Sequence, residues 1–520
     1  MIRSILLTAG VVLLVCVQLN VSAQSSIAKF KYEEAEEAFS KDDFKTCLSK
    51  LREAEEKLGS VNQKIMFLRI MAEHKLHLKI EESDLELITD LREHVDLYMK
   101  QYGGDEKIHD KVREVYKISE SIKVFGNHSA LLKTARKGNL NAMVAFAELN
   151  TTWGSFATAL RWYKQAAEKG SAAAMTGIGI LYEYGMLALR DYNQALYWYK
   201  QAADKNYDLA LISLGCMYYY GNGVPKNKQR ADELIRQAIP GLKKHAEKKD
   251  EPLASYALMF LGGLHDDGEY LEKDGNLALT YYEQAGEMRN TIAMYWAGDY
   301  YFRNSKLVKK DLEKGLNWFR RSAQNMYSGS MYRLAIAYYK GNGVEQNNDR
   351  ALYWMKWAVN CHSLSAMIGL ADFYYNGVGT AKDHTKALYW YQKAADAEVV
   401  RAMIMAGNMY RDAEGTERNL RKAIEYYEKA VAAKDSVEAY RLLGDLCYKY
   451  NGYGRDINYQ SAMGYYKRAA DKGDKHSMEM IGTMYMNGNG VKKDKKLGKE
   501  WIYKSSGNEG LMNLIKPATK

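Results

Sequence analysis

Polar side chains recur at two positions along this chain, with a spacing that could build a ladder of metal ligands or a binding row. The first set precedes apolar runs and stands about 36 residues apart in most cases. It comprises Ser155, Asp191, Asn227, Asp274, Asp311, Asn347, Asp383, Asn419, Asn458 and Asp494. Because Asn and Ser replace Asp freely, metal ligation does not explain the set. We predict that these residues cap helices by accepting hydrogen bonds from backbone N–H groups of the first turn.

The second set follows a small residue in a different helix of the same repeat. It comprises Asp299, Asp372, Asn408 and Asp445. Equivalent positions of a repeat array align along one surface, so these residues predict a polar row that could bind an extended peptide. Ordinary solvation of a helix surface is the alternative interpretation of the same residues.

Three further patterns suggest catalytic or metal sites but lack part of the required chemistry. His74 and His77 lie one helical turn apart beside Glu73 without a third and fourth ligand, so we interpret them as surface histidines. An acidic segment, Asp266, Asp267, Glu269, Glu272 and Asp274, does not have the spacing of a calcium loop. The Gly-x-Gly turns follow helices, and no Gly-Lys-Ser/Thr accompanies them. We predict that the protein is not an enzyme and holds no cofactor or metal.

Ten copies of one two-helix unit position these side chains. The sequence Ala-Leu-Arg-Trp-Tyr-Lys-Gln-Ala-Ala at 159–167 returns at 195, 351 and 387, and in weaker form at 231, 278, 315, 423, 462 and 498. Its apolar residues fall on one face of a helix, which begins at the predicted cap. A preceding helix carries Ala, Leu-Gly and Tyr, as at Ala210, Leu214-Gly215 and Tyr218, and a Gly-Asn-Gly-Val turn follows at 221–224. The expected fold class is an all-α solenoid.

This combination of motifs resembles the Sel-one-like repeat (SLR) family, a relative of the tetratricopeptide repeat. The resemblance covers residues 129–507 and implies a right-handed superhelix of about ten antiparallel helix pairs. It also implies an adaptor or scaffold role in bacterial envelope or secretion contexts, or in endoplasmic-reticulum quality control. Secreted members with paired cysteines in each unit bind penicillin. This chain lacks those pairs, which puts any such function in doubt.

Four cysteines remain after residue 23, namely Cys47, Cys216, Cys361 and Cys447. Those in the array are three or more repeats apart, too far for a disulfide, so we expect them to be free and mostly buried. One unit is 47 residues long because of an insertion near residues 241–252, which we interpret as a solvated bulge. The alternative is a partner site, because the lysines of the insertion and the acidic segment that follows are opposed in charge.

The two ends of the chain differ from the array. Residues 1–23 have the pattern of a signal peptide, with Arg3, an apolar stretch from Ile5 to Val17, and a cleavage site after Ala23. A membrane anchor, or a lipoprotein modified at Cys16, is the alternative. Residues 24–128 read as a tetratricopeptide-like segment that caps the array or forms a separate binding module. It is expected to contain a helix pair around 35–54 and helices near 84–102 and 106–125. Residues 508–520 read as a C-terminal capping stub.

Charge and export limit the classes of partner. The chain carries a net charge of +10, with −4 in residues 24–128 and +13 in residues 129–520, where basic and acidic residues alternate. This favours a solvated surface over nucleic-acid binding. We predict an exported scaffold, periplasmic or extracellular and without a transmembrane segment, that binds a protein or an extended peptide. An envelope-glycan binder or hydrolase, and an endoplasmic-reticulum adaptor, are the alternatives.

Overall fold

The computed structural model describes residues 25–58, 60–79, 85–103, 108–122, 128–248, 250–303, 310–449 and 458–506, which form 26 α-helices and no β-strand. The predicted signal peptide, Cys16 and residues 508–520 lie outside these ranges. The helices are α1 25–40, α2 Phe44–Leu58, α3 Gln63–Lys79, α4 Leu85–Tyr102, α5 His109–Ile122, α6 Ser129–Arg136, α7 Leu140–Thr152, α8 Phe156–Glu168, α9 Ala172–Glu183, α10 Tyr192–Ala203, α11 Asp208–Tyr220, α12 Lys228–Glu247, α13 Ala254–Asp267, α14 Gly275–Glu287, α15 Thr291–Phe302, α16 Leu312–Gln324, α17 Ser328–Lys340, α18 Asn348–Asn360, α19 Leu364–Asn376, α20 His384–Asp396, α21 Val400–Asp412, α22 Leu420–Lys434, α23 Val437–Lys449, α24 Tyr459–Asp471, α25 Lys475–Asn487 and α26 Lys495–Ser506.

The array is the all-α solenoid that the repeat predicts. Its first helices are the odd-numbered helices α7 to α25, and its second helices are the even-numbered helices α8 to α26. The chain divides into two compact units, residues 1–311 with 324–326 (unit 1) and residues 312–323 with 327–520 (unit 2). Within each unit, the helices of a pair contact each other, and each pair contacts the next.

In several pairs, a small residue on the first helix lies against an aromatic ring of a second helix, whereas Gly215 and Gly482 lie against Ile235 and Ile502. In α9, an added Cβ at Gly177 would meet the ring of Tyr163 on α8, and one at Gly179 would meet the ring of Tyr199 on α10. Both tyrosines are fully buried. Helix α9 is therefore held between two rings, which explains why the repeat keeps Gly or Ala here.

Most second helices begin at a capping side chain. The side chains of Asp191, Asn227, Asp383 and Asn419 each accept a hydrogen bond from the backbone N–H three residues ahead. Asn347, Asn458 and Asp494 do the same, and Asp274 accepts from two N–H groups. Asp311 directly precedes α16.

Ser155 is a correction to the capping prediction. It stands at the N-cap position of α8, but its side chain makes no capping hydrogen bond, and the buried hydroxyl has no hydrogen-bond partner. Its ψ of 59° differs from the 93° of Asn227, so its backbone departs from that of the capping residues.

The contrast between these two residues gives a stability prediction. Replacing Asn227 with Ala should lower the free energy of unfolding by about 1 kcal/mol, because the N–H of Arg230 loses its acceptor. Replacing Ser155 with Ala should cost less or nothing, since no bond is lost. Denaturant titrations of both variants and the parent protein measure the difference. Equal losses would contradict the assignment of Asn227 as the cap.

The inserted segment differs from the predicted bulge. Helix α12 continues through Pro240 to Glu247, and Leu242 on this extension is fully buried. After the helix, Leu253 adopts φ of 65° before α13 begins. The extension therefore packs into unit 1. The four cysteines form no disulfide with one another, and Cys216, Cys361 and Cys447 of the array are each partly exposed, so the expectation that the array cysteines would be mostly buried was wrong.

The N-terminal segment contacts the start of the array. The guanidinium of Arg136 lies 2.7 Å from Asp90 and 3.0 Å from Glu86 on α4, and Trp162 on α8 donates to Glu86 over 3.2 Å. These contacts suit a segment that covers the first pair. Helix α3 was not predicted, because its buried residues include Ile65, Met66 and Ile70 and do not form a single stripe.

Candidate functional site

The predicted polar row lies on the first helices, and in unit 2 it is hydrogen-bonded to the helix behind it. Asp372 on α19 accepts a hydrogen bond from the hydroxyl of Tyr391 on α20, over 2.5 Å. Its other oxygen lies 2.9 Å from the guanidinium of Arg401 on α21. The carboxylate therefore connects both helices of its own repeat to the next repeat.

The same arrangement recurs in the next two repeats. The hydroxyl of Tyr427 donates to Asn408 over 2.7 Å, and that of Tyr466 donates to Asp445 over 2.8 Å. The imidazole of His476, on the following first helix, lies 3.0 Å from the carboxylate of Asp445. Burial and the neighbouring carboxylate raise the pKa of Tyr391 and Tyr466 well above the ordinary value of a tyrosine. The tyrosines therefore remain neutral donors, and each row residue has a defined orientation.

Row residues keep part of their surface in solvent. The side chains of Asp372 and Asp445 are 28% and 21% exposed. Helix solvation alone does not describe them, because each accepts a hydrogen bond from a buried tyrosine. They form a semi-buried ladder with an accessible edge.

Asp299 lies in unit 1 and has different partners. Its carboxylate lies 2.9 Å from Arg303, whose guanidinium also pairs with Asp266 over 2.7 Å and lies over the ring of Tyr300. Tyr300 donates its hydroxyl to Asp266 over 2.6 Å. Asp299 therefore belongs to a local cluster of ion pairs at the end of α15.

Glu148 occupies the equivalent position in the first pair and was missed. Its two carboxylate oxygens accept from the backbone N–H of Leu253, over 2.8 Å, and from the hydroxyl of Ser255, over 3.0 Å. Asn290 donates to the same Ser255 over 3.2 Å. Burial raises the pKa of Glu148, and the two hydrogen bonds act against that rise. Extending the row to the residue after Ala147 would have found it.

The described residues contain no cluster of three or more His, Cys, Asp or Glu side chains arranged to hold a metal. Glu73 is hydrogen-bonded to His94 over 2.9 Å, and burial raises its pKa. The side chain of His77 lies outside the described residues.

The acidic segment contacts other groups of the protein. Asp266 pairs with Arg303, and Glu269 pairs with Lys228. Within the same segment, the hydroxyl of Tyr270 donates a hydrogen bond to Asp232. These carboxylates therefore contact cations and hydroxyl groups of the protein itself.

None of the helices in the described part of the chain combines the length and apolar character needed to cross a bilayer. The fold and the polar row together define a helical-repeat protein in which the same position of successive helix pairs contributes to one surface.

The Sel1 repeat model matches ten segments that together exceed half of the chain, so this chain belongs to the Sel1-repeat family. The matched residues are 155–171, 172–207, 208–239, 255–290, 291–325, 328–360, 364–399, 400–435, 437–474 and 475–506. Sel1 and tetratricopeptide-like solenoids generally mediate protein–protein interaction. No curated protein matches this sequence.

This chain is similar to several solved structures. A protective antigen of uropathogenic Escherichia coli displaying an SLR fold is 26% identical, with 73% of this chain and 79% of that chain covered and a TM-score of 0.43. A Sel1 repeat protein from Oxalobacter formigenes is 20% identical, with 62% and 90% covered and a TM-score of 0.42. Yeast Tom70 is 11% identical, with 94% and 97% covered and a TM-score of 0.36.

Proposed function

We propose that this protein is an exported scaffold that binds an extended segment of another protein along the polar row of unit 2. The observation that carries the proposal is the ladder of Asp372, Asn408 and Asp445. These residues occupy one repeat position on α19, α21 and α23, and a buried tyrosine orients each of them. The signal-peptide pattern of residues 1–23 supports export to the periplasm or the cell exterior.

Preorganisation favours such a role. Side chains that are already fixed lose little conformational freedom when a partner binds. Carboxylate oxygens accept hydrogen bonds, and an amide can accept and donate, so the ladder can pair with backbone and basic groups of an extended chain. The Sel1 repeats support the general class of function, protein–protein interaction.

The test must separate binding from folding. Replacing Asp372 and Asp445 with Ala would leave the hydroxyl groups of Tyr391 and Tyr466 without their acceptors. Replacing both with Asn keeps an acceptor oxygen and removes the negative charge. The D372N/D445N protein should capture its partner from envelope extract of the native cell at least 10-fold less well, a change of about 1.4 kcal/mol, as measured by quantitative mass spectrometry.

Asp349 and Asp396 provide the matched control, because both are exposed acidic residues on second helices of unit 2. The D349N/D396N protein removes the same charge and should capture the partner normally. Thermal melting monitors folding of both variants. Unchanged capture by a folded D372N/D445N protein would contradict the proposal.

A further inference from the structure

Unit 2 exposes aromatic side chains on the helices that do not carry the polar row. Tyr353 and Trp357 on α18 are 54% and 39% exposed, and Tyr389 on α20 is 50% exposed. Lys356 and Lys393 are exposed on the same two helices. We call these five residues the basic–aromatic face. Tyr353 and Tyr389 occupy the same position of consecutive repeats, so they share one side of the unit. Exposed aromatic groups of this kind commonly mark interaction surfaces.

The net positive charge of unit 2 lies on its second helices, the set to which α18 and α20 belong; α18 and α20 themselves carry four Lys and Arg against two Asp and Glu. Its six second helices carry 17 Lys and Arg against 7 Asp and Glu, whereas its five first helices carry 7 against 5. The four second helices of unit 1 carry 8 against 6. A net excess of +10 on one set of helices is therefore particular to unit 2, and it complements an anionic partner.

The exposed rings of the basic–aromatic face are inclined to the rings beside them. The ring of Tyr353 is inclined by 62° to that of Trp357 and by 81° to that of Trp354. Tyr389 is inclined by 81° to Trp390, and the ammonium group of Lys393 lies over its ring at 5.7 Å. Rings inclined to one another leave recesses between them in which apolar side chains can pack. Tyr and Trp are also enriched among the dominant residues of protein interfaces.

We infer that the basic–aromatic face binds an acidic segment of another protein in which carboxylates alternate with apolar side chains. The carboxylates pair with Lys356, Lys393 and the other cations of the second helices, and the apolar side chains pack between the aromatic rings. This inference does not rest on the polar row. It gives the protein a second binding surface, opposite in charge to the acidic row.

Synthetic peptides of about 20 residues, labelled with fluorescein, test the inference on the full chain. We expect a peptide of alternating Glu and Leu to bind, measured by fluorescence anisotropy at low and moderate salt. A Glu/Gly peptide should bind at least 10-fold more weakly, since it cannot fill the recesses between the rings. A Lys/Leu peptide should not bind. Adding salt should weaken binding, because the ionic contacts are exposed.

Unit 1 supplies matched control variants. Tyr197 has the repeat position of Tyr353 and Tyr389, is 52% exposed, and lies beside Trp198. Lys200 has the repeat position of Lys356. The Y353A/W357A/Y389A and K356E/K393E variants should each weaken Glu/Leu binding at least 10-fold. Y197A and K200E should leave it unchanged.

Three results would overturn the inference. The Glu/Leu peptide fails to bind, or the aromatic variant, folded by circular dichroism, binds it normally. Alternatively, alginate, an anionic polysaccharide without apolar side chains, competes as strongly as the unlabelled Glu/Leu peptide at equal charge. The last result would assign the face to anionic glycan.

Discussion

Replacing Glu148 with Ala is expected to lower the free energy of unfolding by about 2 to 4 kcal/mol at pH 5. The carboxylate is the acceptor for the N–H of Leu253 and the hydroxyl of Ser255, which lie more than 100 residues further along the chain. Leu253 is fully buried, so its N–H would be left without an acceptor and away from water. Each buried donor left unpaired costs about 1 to 3 kcal/mol.

Leu253 adds to the expected effect. It adopts a φ of 65°, a left-handed conformation that a branched residue rarely takes. Its hydrogen bond to Glu148 is one of the contacts that hold this conformation. In the E148A protein, residues around 250–258 should therefore exchange their amide hydrogens faster, as measured by mass spectrometry.

The pH dependence separates the charge from the hydrogen bonds. Burial raises the folded-state pKa of Glu148 above its ordinary value of 4.5. The folded protein is therefore more stable with Glu148 protonated than with Glu148 ionised. This stabilisation is fully present below the pKa of Glu148 in the unfolded chain and is lost as pH rises through its folded-state pKa. Gln keeps an acceptor for Leu253 and carries no charge. E148Q should therefore approach the parent protein's stability at low pH, and match or exceed it at pH 8.

Urea titrations of the parent, E148A and E148Q proteins at pH 5, 6, 7 and 8 measure these differences. Tyr163 and Tyr207 near Glu148 remain neutral throughout this range, because burial raises the pKa of both. If E148Q lost as much stability as E148A at every pH, the hydrogen bonds would not be the cause.

The contacts of Glu148 show which part of the fold the sequence could predict. The helix pairs and most of the caps follow from the repeat, since each depends on residues close together in sequence. The contact between Glu148 and Leu253 depends on how far the array curves over three repeats, and small differences in helix crossing angles accumulate over that distance. A periodic pattern contains no information about that curvature.

The polar row could be located from the sequence, but its environment could not. The spacing places Asp372, Asn408 and Asp445 at one repeat position. The same repeats carry Tyr391, Tyr427 and Tyr466, each eight positions after the cap of its second helix. The repeat predicted only that the apolar residues of the second helix share one face. The hydroxyl groups of the three tyrosines bond to the row residues, and these pairings require atomic positions across two helices.

Replacing Gly444 with Val is expected to lower the free energy of unfolding by about 3 kcal/mol. An added Cβ at Gly444 would lie 2.6 Å from the ring of Tyr466, a distance at which the ring must move. Tyr466 is fully buried, and its hydroxyl bonds to Asp445, so the ring has little room to shift. Overpacking of a filled core typically costs about 1 to 3 kcal/mol, and losing this hydrogen bond adds to the cost.

Gly464 provides the control within the same repeat. It lies on α24, and a Cβ added there meets no atom within 4 Å. The G464V protein should be as stable as the parent or more stable by a few tenths of a kcal/mol, because Val has a higher helix propensity than Gly. Hydrogen exchange should locate the damage of G444V in α23, α24 and the neighbouring repeats, since each repeat contacts mainly its neighbours. Equal stability of the two variants would show that Tyr466 does not determine the packing of this pair.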